Sequence, residues 1–322
     1  MPSFISDSDI ARNHLRLDRF TIVLLGTIIV MLISIETLFR ERFDRTSSVQ
    51  QHEDAERQSL LHFRDAGTGK DPHIVIVGNS LMLHGIDVPF LEANLDSRFV
   101  PVTYFVLGTN YNDWYFGLKR LFAEGMRPDY VLLGLSPNQL ATSEIRGDMS
   151  ARYLVQQSDL LDIVRQSHMN ATVASEFILA HYSEYYSTRE IARGYVMSKL
   201  LPTVGELFHT RYASYRDPAI EEPVLRQLAS TRLEALNQLC RANGAHFLFV
   251  VPPSYQEGGA TILHAGKERG ITVLLPVNDN EFDGSDYEED GIHMNEKGAR
   301  IFTERLTRDL NKELAKQNSA GS

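Results

Sequence analysis

The chain has a single cysteine, Cys240, in 322 residues, so no intramolecular disulfide can form and no thiolate zinc site can be assembled. Cys240 sits in QLCRANG, at the end of a helical pattern, and reads as a packed cysteine. Positive charge is also in short supply. Lys and Arg total 32 against 42 for Asp and Glu, a formal net charge of -10, and no Lys/Arg-rich block occurs. Counterion displacement from nucleic acid needs basic clusters, so nucleic-acid binding is excluded as a function class. There is no internal repeat, and the small-residue tail SAGS is the nearest thing to low complexity. Histidines such as His168, His181 and His209 are scattered without ligand-like spacing, so no metal and no cofactor are expected.

A core is plentiful: 43% of residues are hydrophobic and 23% charged, as in globular proteins. Near the N-terminus, Phe20 to Ile35 (FTIVLLGTIIVMLISI) carries no charge, and apolar character continues to Phe39. Twenty helical residues reach about 30 Å, the thickness of the hydrocarbon core of a bilayer. The run lacks a polar face, which argues against a buried core helix. It is long for a cleaved signal peptide, and no A-x-A-like site follows it. The expectation is a single-pass signal anchor over 20–39, preceded by a tail (1–19) and followed by a polar stalk or linker (40–70). Arginines lie on both sides of it (Arg12, Arg16 and Arg19; Arg40, Arg42 and Arg45), so the charge rule does not set orientation. A large domain after one anchor can be translocated regardless, which places residues 71–316 on the extracytoplasmic (periplasmic) side.

Short apolar runs then alternate with helical patterns. HIVIV (73–77), VTYFVL (102–107), DYVLLGL (129–135), HFLFVV (246–251) and ITVLLPV (271–277) read as strands buried on both faces. Helical patterns lie at about 113–125, 224–243 and 296–316. The result is an α/β fold: a three-layer α/β/α sandwich, doubly wound, with a mostly parallel central sheet. Residues 140–222 carry no strand pattern but several helical ones, YLVQQSDLLDIVRQ, ATVASEFILAHYSEYY and REIARGYVMSKLL. They form a helical insertion, either a cap near the carboxyl edge of the sheet or an enlargement of the core. Residues 317–322 are a tail.

Sites in parallel α/β sheets lie at the carboxyl ends of the strands. The residues there are Gly78-Asn79-Ser80, Gly108-Thr109-Asn110, Ser136-Pro137-Asn138 and Pro252-Pro253, with Asp290 and His293 in DGIHMNEKGAR before the last helix. Each has a plain reading. Ser80 can cap a helix, Asn138 can belong to a turn, and His293 can be a surface histidine. A serine, an asparagine, turn glycines and an Asp–His pair in this order also make a hydrolytic site.

That order resembles the SGNH (GDSL-like) hydrolase superfamily across residues 71–315. Gly78-Asn79-Ser80 matches the family's G-D-S block, Gly108 its second block, Asn138 its third, and Asp290-Gly291-Ile292-His293 its D-x-x-H block before the C-terminal helix. GTNYND offers a competing match for the third block at Asn110, but it follows the second strand and not the third. Two departures stand out: Asn79 replaces the usual Asp, and SPNQ replaces the G-x-N-D context. The resemblance implies a catalytic triad of Ser80, His293 and Asp290, and an oxyanion hole from the backbone of Ser80 and Gly108 with the Asn138 amide. It implies ester chemistry through an acyl-enzyme, by an esterase or an O-acyltransferase. Membrane-tethered members are similar in layout to enzymes that add or remove acetyl groups on envelope polysaccharides. The expected partners are an acylated carbohydrate or other ester substrate, the membrane, and other envelope biosynthesis proteins. A lipid esterase and a non-catalytic assembly or carbohydrate-binding protein are the alternatives.

Overall fold

The structure is a computed structural model that describes residues 19–42, 56–60, 72–145, 147–189, 193, 197, 220–279 and 281–320. The chain divides into two compact units, Met1–Thr46 and Ser47–Ser322.

In the first unit, helix α1 (Arg19–Arg42) contains a 21-residue stretch, Arg19–Phe39, that is apolar enough to cross a membrane, with mean hydropathy 2.5. Its polar side chains turn inward on their own helix. Thr27, Ser34 and Thr37 each donate a hydroxyl hydrogen bond to the carbonyl four residues earlier, at 2.8 to 2.9 Å. This removes their need for water.

The second unit is built on a five-stranded parallel sheet in the order β2-β1-β3-β4-β5. The strands are β1 (His73–Gly78), β2 (Val100–Phe105), β3 (Tyr130–Gly134), β4 (His246–Val250) and β5 (Thr272–Leu274). Each falls on one of the five apolar runs, and the α/β architecture expected from them is the one observed. Side chains alternate between the faces. Ile74, Ile76, Leu132, Leu248 and Val250 pack under α2 (Ser80–Gly85), α3 (Val88–Asn94) and α11 (Glu296–Ala320). Val75, Val77, Val131, Leu133, Phe247 and Phe249 pack under α4 (Tyr111–Ala123), α9 (Glu222–Ala242) and α10 (Gly259–Glu268). Cys240 is buried in this second layer, where desolvation pushes its thiol up to about 12 and closes thiolate chemistry to it.

Between β3 and β4 lie α5 (Pro137–Ala141), α6 (Gly147–Tyr153), a 3₁₀ turn (Gln157–Asp159), α7 (Leu160–Gln166) and α8 (Ala171–Tyr182). The helices of the insertion have a small core of their own: Ala151, Val155, Leu160, Ile163, Phe177 and Ala180 gather around Phe116 of α4. The described part of the insertion therefore packs against α4 around a cluster separate from the two that flank the sheet. Most of the expected helix REIARGYVMSKLL lies outside the described residues.

Residues 56–60, expected within the stalk, form a helical turn docked on the sheet. Leu60 is fully buried, Glu56 accepts the backbone N–H of Phe105 at 2.8 Å, and Arg57 pairs with Glu124 at 2.9 Å.

One contact sets the position of α2. The buried side chain of Met82 lies across Gly78 and Gly134, the last residues of the neighbouring strands β1 and β3. A Cβ on Gly78 would stand 2.4 Å from Met82 Cγ, 2.8 Å from its Cβ and 3.0 Å from the Gly134 carbonyl oxygen. Only glycine lets the helix come this close. Gly78→Ala is therefore expected to cost about 1–3 kcal/mol of stability through overpacking. Chemical denaturation checks this, and an unchanged midpoint would show that Met82 has room to move.

Candidate functional site

The strand order places the reversal of winding between β1 and β3, and the crevice outside the carboxyl ends of these strands is where such sheets bind ligands. Gly78 is level with Phe105 on one side and with Gly134 on the other. Ser80, Gly108 and Asn138, all half-buried, therefore follow three adjacent strands at one edge of the sheet.

Ser80 opens α2, and Asn79 caps that helix by accepting the Leu81 N–H at 3.0 Å. The helix-cap role suspected for Ser80 thus belongs to its neighbour, and the Ser80 hydroxyl is left over. The other end of the Asn79 side chain donates from Nδ2 to the Thr109 carbonyl at 2.9 Å. Asn79 is fully buried and uses both ends of its amide, one to hold the helix of Ser80 and one to hold the loop after β2. An aspartate carboxylate would accept the first bond but could not donate the second. The departure from G-D-S has a physical reason here.

The loop after β2 is tied down at every step. Gly108 takes a left-handed conformation (φ 69°), the Thr109 hydroxyl bonds the Val106 carbonyl at 2.7 Å, and Trp114 Nε1 donates to that hydroxyl at 2.9 Å. Asn110 is the N-cap residue of α4, and its N–H donates to Asp113 Oδ2 at 2.8 Å. The competing G-x-N match thus lies at a helix start.

The other departure, SPNQ, is a helix-capping box with proline at the first turn. The Ser136 side chain accepts from Gln139 N–H, and Gln139 Oε1 accepts the Ser136 N–H at 2.9 Å. Asn138 lies in the first turn of α5, and its side-chain amide has no hydrogen-bond partner among the described residues. Gln256, from the loop after β4, fixes this turn. Its Oε1 accepts from Ser136 Oγ at 2.9 Å and from Asn138 N–H at 3.3 Å.

Asp290 and His293 share a tight loop before α11. One carboxylate oxygen of Asp290 accepts the N–H groups of Ile292 (2.8 Å) and His293 (3.0 Å); the other meets His293 Nδ1 at 2.6 Å. Burial pushes the Asp290 carboxyl up, and the three hydrogen bonds outweigh it, holding the group below the usual carboxylate range. In the neutral imidazole, a carboxylate at Nδ1 favours the tautomer with the proton there, whose Nε2 is an acceptor. Among the described residues, neither His293 Nε2 nor Ser80 Oγ has a hydrogen-bond partner. The structure thus joins Asp290 to His293 directly, and leaves the Ser80–His293 contact open, as apo sites often do.

Two residues near this loop carry no motif. His84, one turn after Ser80 on α2, has its ring centroid 4.5 Å from that of His293, and its Nδ1 lies 3.3 Å from Glu288 Oε1. The i, i+4 spacing from Ser80 is the one sequence signal that could have marked His84. Nothing in the sequence marks Glu288 or Gln256. The described residues contain no group of three or more His, Cys, Asp or Glu that could hold a metal ion.

Asn79→Asp sets a buried carboxylate against the Thr109 carbonyl, which raises the folded-state pKa of the new group. Below the unfolded value of about 4 the protonated acid can donate as the amide did; above it, stability falls as the pH rises. The deficit against the parent protein is expected to grow between about pH 4 and pH 7, to about 3 kcal/mol. Thermal unfolding across this range checks it, and a deficit that does not change with pH would exclude the donor role.

No family profile matches the chain, and no curated protein matches it. Among solved structures it is similar to protein YXIM of Bacillus subtilis, with 12% identity and a TM-score of 0.36 over 76% of this chain and 57% of that one. It is also similar to a Streptococcus pneumonia protein described as a candidate platelet activating factor, with 10% identity and a TM-score of 0.35 over 86% of this chain and 99% of that one. The chain thus spans little more than half the length of the Bacillus protein, and similarity of this degree carries no argument about activity.

Proposed function

We propose that the chain is a membrane-anchored serine esterase or O-acyltransferase of the SGNH type, acting on ester-linked acyl groups, acetyl foremost, of envelope glycans. The observation that carries this reading is the Asp290–His293 pair, which leaves a basic Nε2 on a loop packed beside the helix that Ser80 opens.

A serine hydroxyl needs a base to attack at neutral pH. His293 Nε2 takes the proton from Ser80 Oγ as the new Oγ–carbon bond forms, and Asp290 stabilises the resulting imidazolium. The former carbonyl oxygen becomes an oxyanion, met by the N–H groups of Ser80 and Gly108 and by the Asn138 amide, which is free to donate. His293 then gives its proton to the departing alcohol, leaving an acyl-enzyme on Ser80. Water as acceptor makes the protein an esterase; a sugar hydroxyl makes it a transferase. Helix α1 serves as the anchor, with the sheet domain outside the cytoplasm, and favours a large or immobile substrate near the membrane. The architecture supplies this substrate class by analogy.

Full-length protein in detergent is expected to release p-nitrophenol from p-nitrophenyl acetate, and Ser80→Ala and His293→Ala to abolish the release. Asn138→Ala should slow it by about 10²–10³, the effect of losing one oxyanion donor. Intact mass after incubation with acetyl donors, with and without glycans, should show an acyl adduct on Ser80. Turnover that survives Ser80→Ala, or never occurs, supports the non-catalytic carbohydrate-binding alternative.

A further inference from the structure

Resting on the reading of Ser80 as nucleophile and His293 as base, we infer that His84 is a positioning residue, the platform that aims His293 at Ser80. Asp290 alone leaves the imidazole one degree of freedom. The Nδ1 bond of 2.6 Å fixes one edge of the ring, but a ring held at one edge can swing about that bond. The face of the ring is what determines where Nε2 points.

His84 occupies that face. The two rings lie 4.5 Å apart at their centroids, tilted by 36°. His84 is itself held, because Glu288 stands 3.3 Å from its Nδ1. Glu288 belongs to the same loop as the base, and its backbone N–H donates to the His293 carbonyl at 2.8 Å. Glu288 and His293 thus face each other across a closed loop, and the ring of His84 is in contact with both.

His84 and Ser80 share the short helix α2, one turn apart. That helix is pinned to the sheet by Met82, and the chain leaving it is pinned to α11 by Thr303, whose hydroxyl accepts the Asp87 N–H at 2.9 Å and donates to the Ala299 carbonyl of its own helix at 2.7 Å. The nucleophile and the surface against which the base rests are therefore parts of one rigid element. The contact with His84 thus ties the ring of His293 to the helix that bears Ser80.

The test is labelling of Ser80 by a fluorophosphonate, in which the Oγ–P bond forms, fluoride leaves and His293 accepts the serine proton. In the full-length protein, His84→Ala is expected to slow labelling on the order of 10²-fold, the effect of about 1 Å of misplacement. His84→Phe, which restores a ring without an ion pair, should label within about threefold of the parent protein. With p-nitrophenyl acetate the loss in His84→Ala should fall on kcat, with KM little changed. Unchanged labelling in His84→Ala, or equal slowing in His84→Phe, overturns the platform. Circular dichroism of each variant confirms folding, and His84→Phe keeps the comparison decisive if His84→Ala does not fold. A parent protein that fails to label refutes the esterase reading and not the platform. The nuclear Overhauser contact between the His293 ring and the Ser80 side chain then decides: its loss in His84→Ala and retention in His84→Phe supports the platform, and its retention in both overturns it.

Discussion

The approach of α2 to the sheet, with Met82 lying over two glycines, is the constraint on which the rest of the site depends. Close packing of this kind is intolerant of even one methyl group. It places the first residue of α2 beside the ends of β1 and β3, where the winding of the sheet reverses and leaves a crevice. It also leaves the outer face of the helix exposed to the loop before α11, where His84 meets His293. One sulfur-containing side chain laid across a flat stretch of backbone thereby governs both sides of the crevice.

The hydrogen bonding around the crevice shows a division of labour. Amides and hydroxyls do the holding: buried Asn79 between α2 and the loop after β2, buried Thr109 within that loop, and half-buried Gln256 against the turn that carries Asn138. Ser80 Oγ, the Asn138 amide and His293 Nε2, the groups to which chemistry is assigned in the proposed function, have no partner among the described residues. The proposed roles need groups free to exchange partners and supports that are not, and here the two sets of groups do not overlap.

Much of this was legible in the residues themselves. The strands are uniformly apolar because both faces of the sheet are covered, so HIVIV, DYVLLGL and HFLFVV could not be mistaken for surface segments. Gly78 and Gly108 mark strand ends because one must admit Met82 and the other takes a positive φ. Asp290 and His293 meet because a turn of three residues leaves them no other arrangement once Asp290 accepts the Ile292 and His293 N–H groups. Contacts made by long separations in the chain were not legible. His84, Glu288 and Gln256 have no periodicity and no motif, and they gain meaning only when three distant loops converge. The turn at 56–60 looked like polar stalk because its one buried apolar residue, Leu60, is surrounded in the sequence by charge. The carboxylate of Glu56 is satisfied by an edge strand that local pattern does not reveal.

The pinning of α2 by α11 has a consequence for the order of events during synthesis. Asp87 and Thr303, which share a hydrogen bond, are separated by 216 positions. The strand and helix that bear the serine leave the ribosome early, yet the element that holds the helix in place is made near the end. Contacts of such separation are slow to form. A nascent chain would therefore carry Ser80 in a loosely held segment until the last helix docks, and the groove would take shape only at the close of folding.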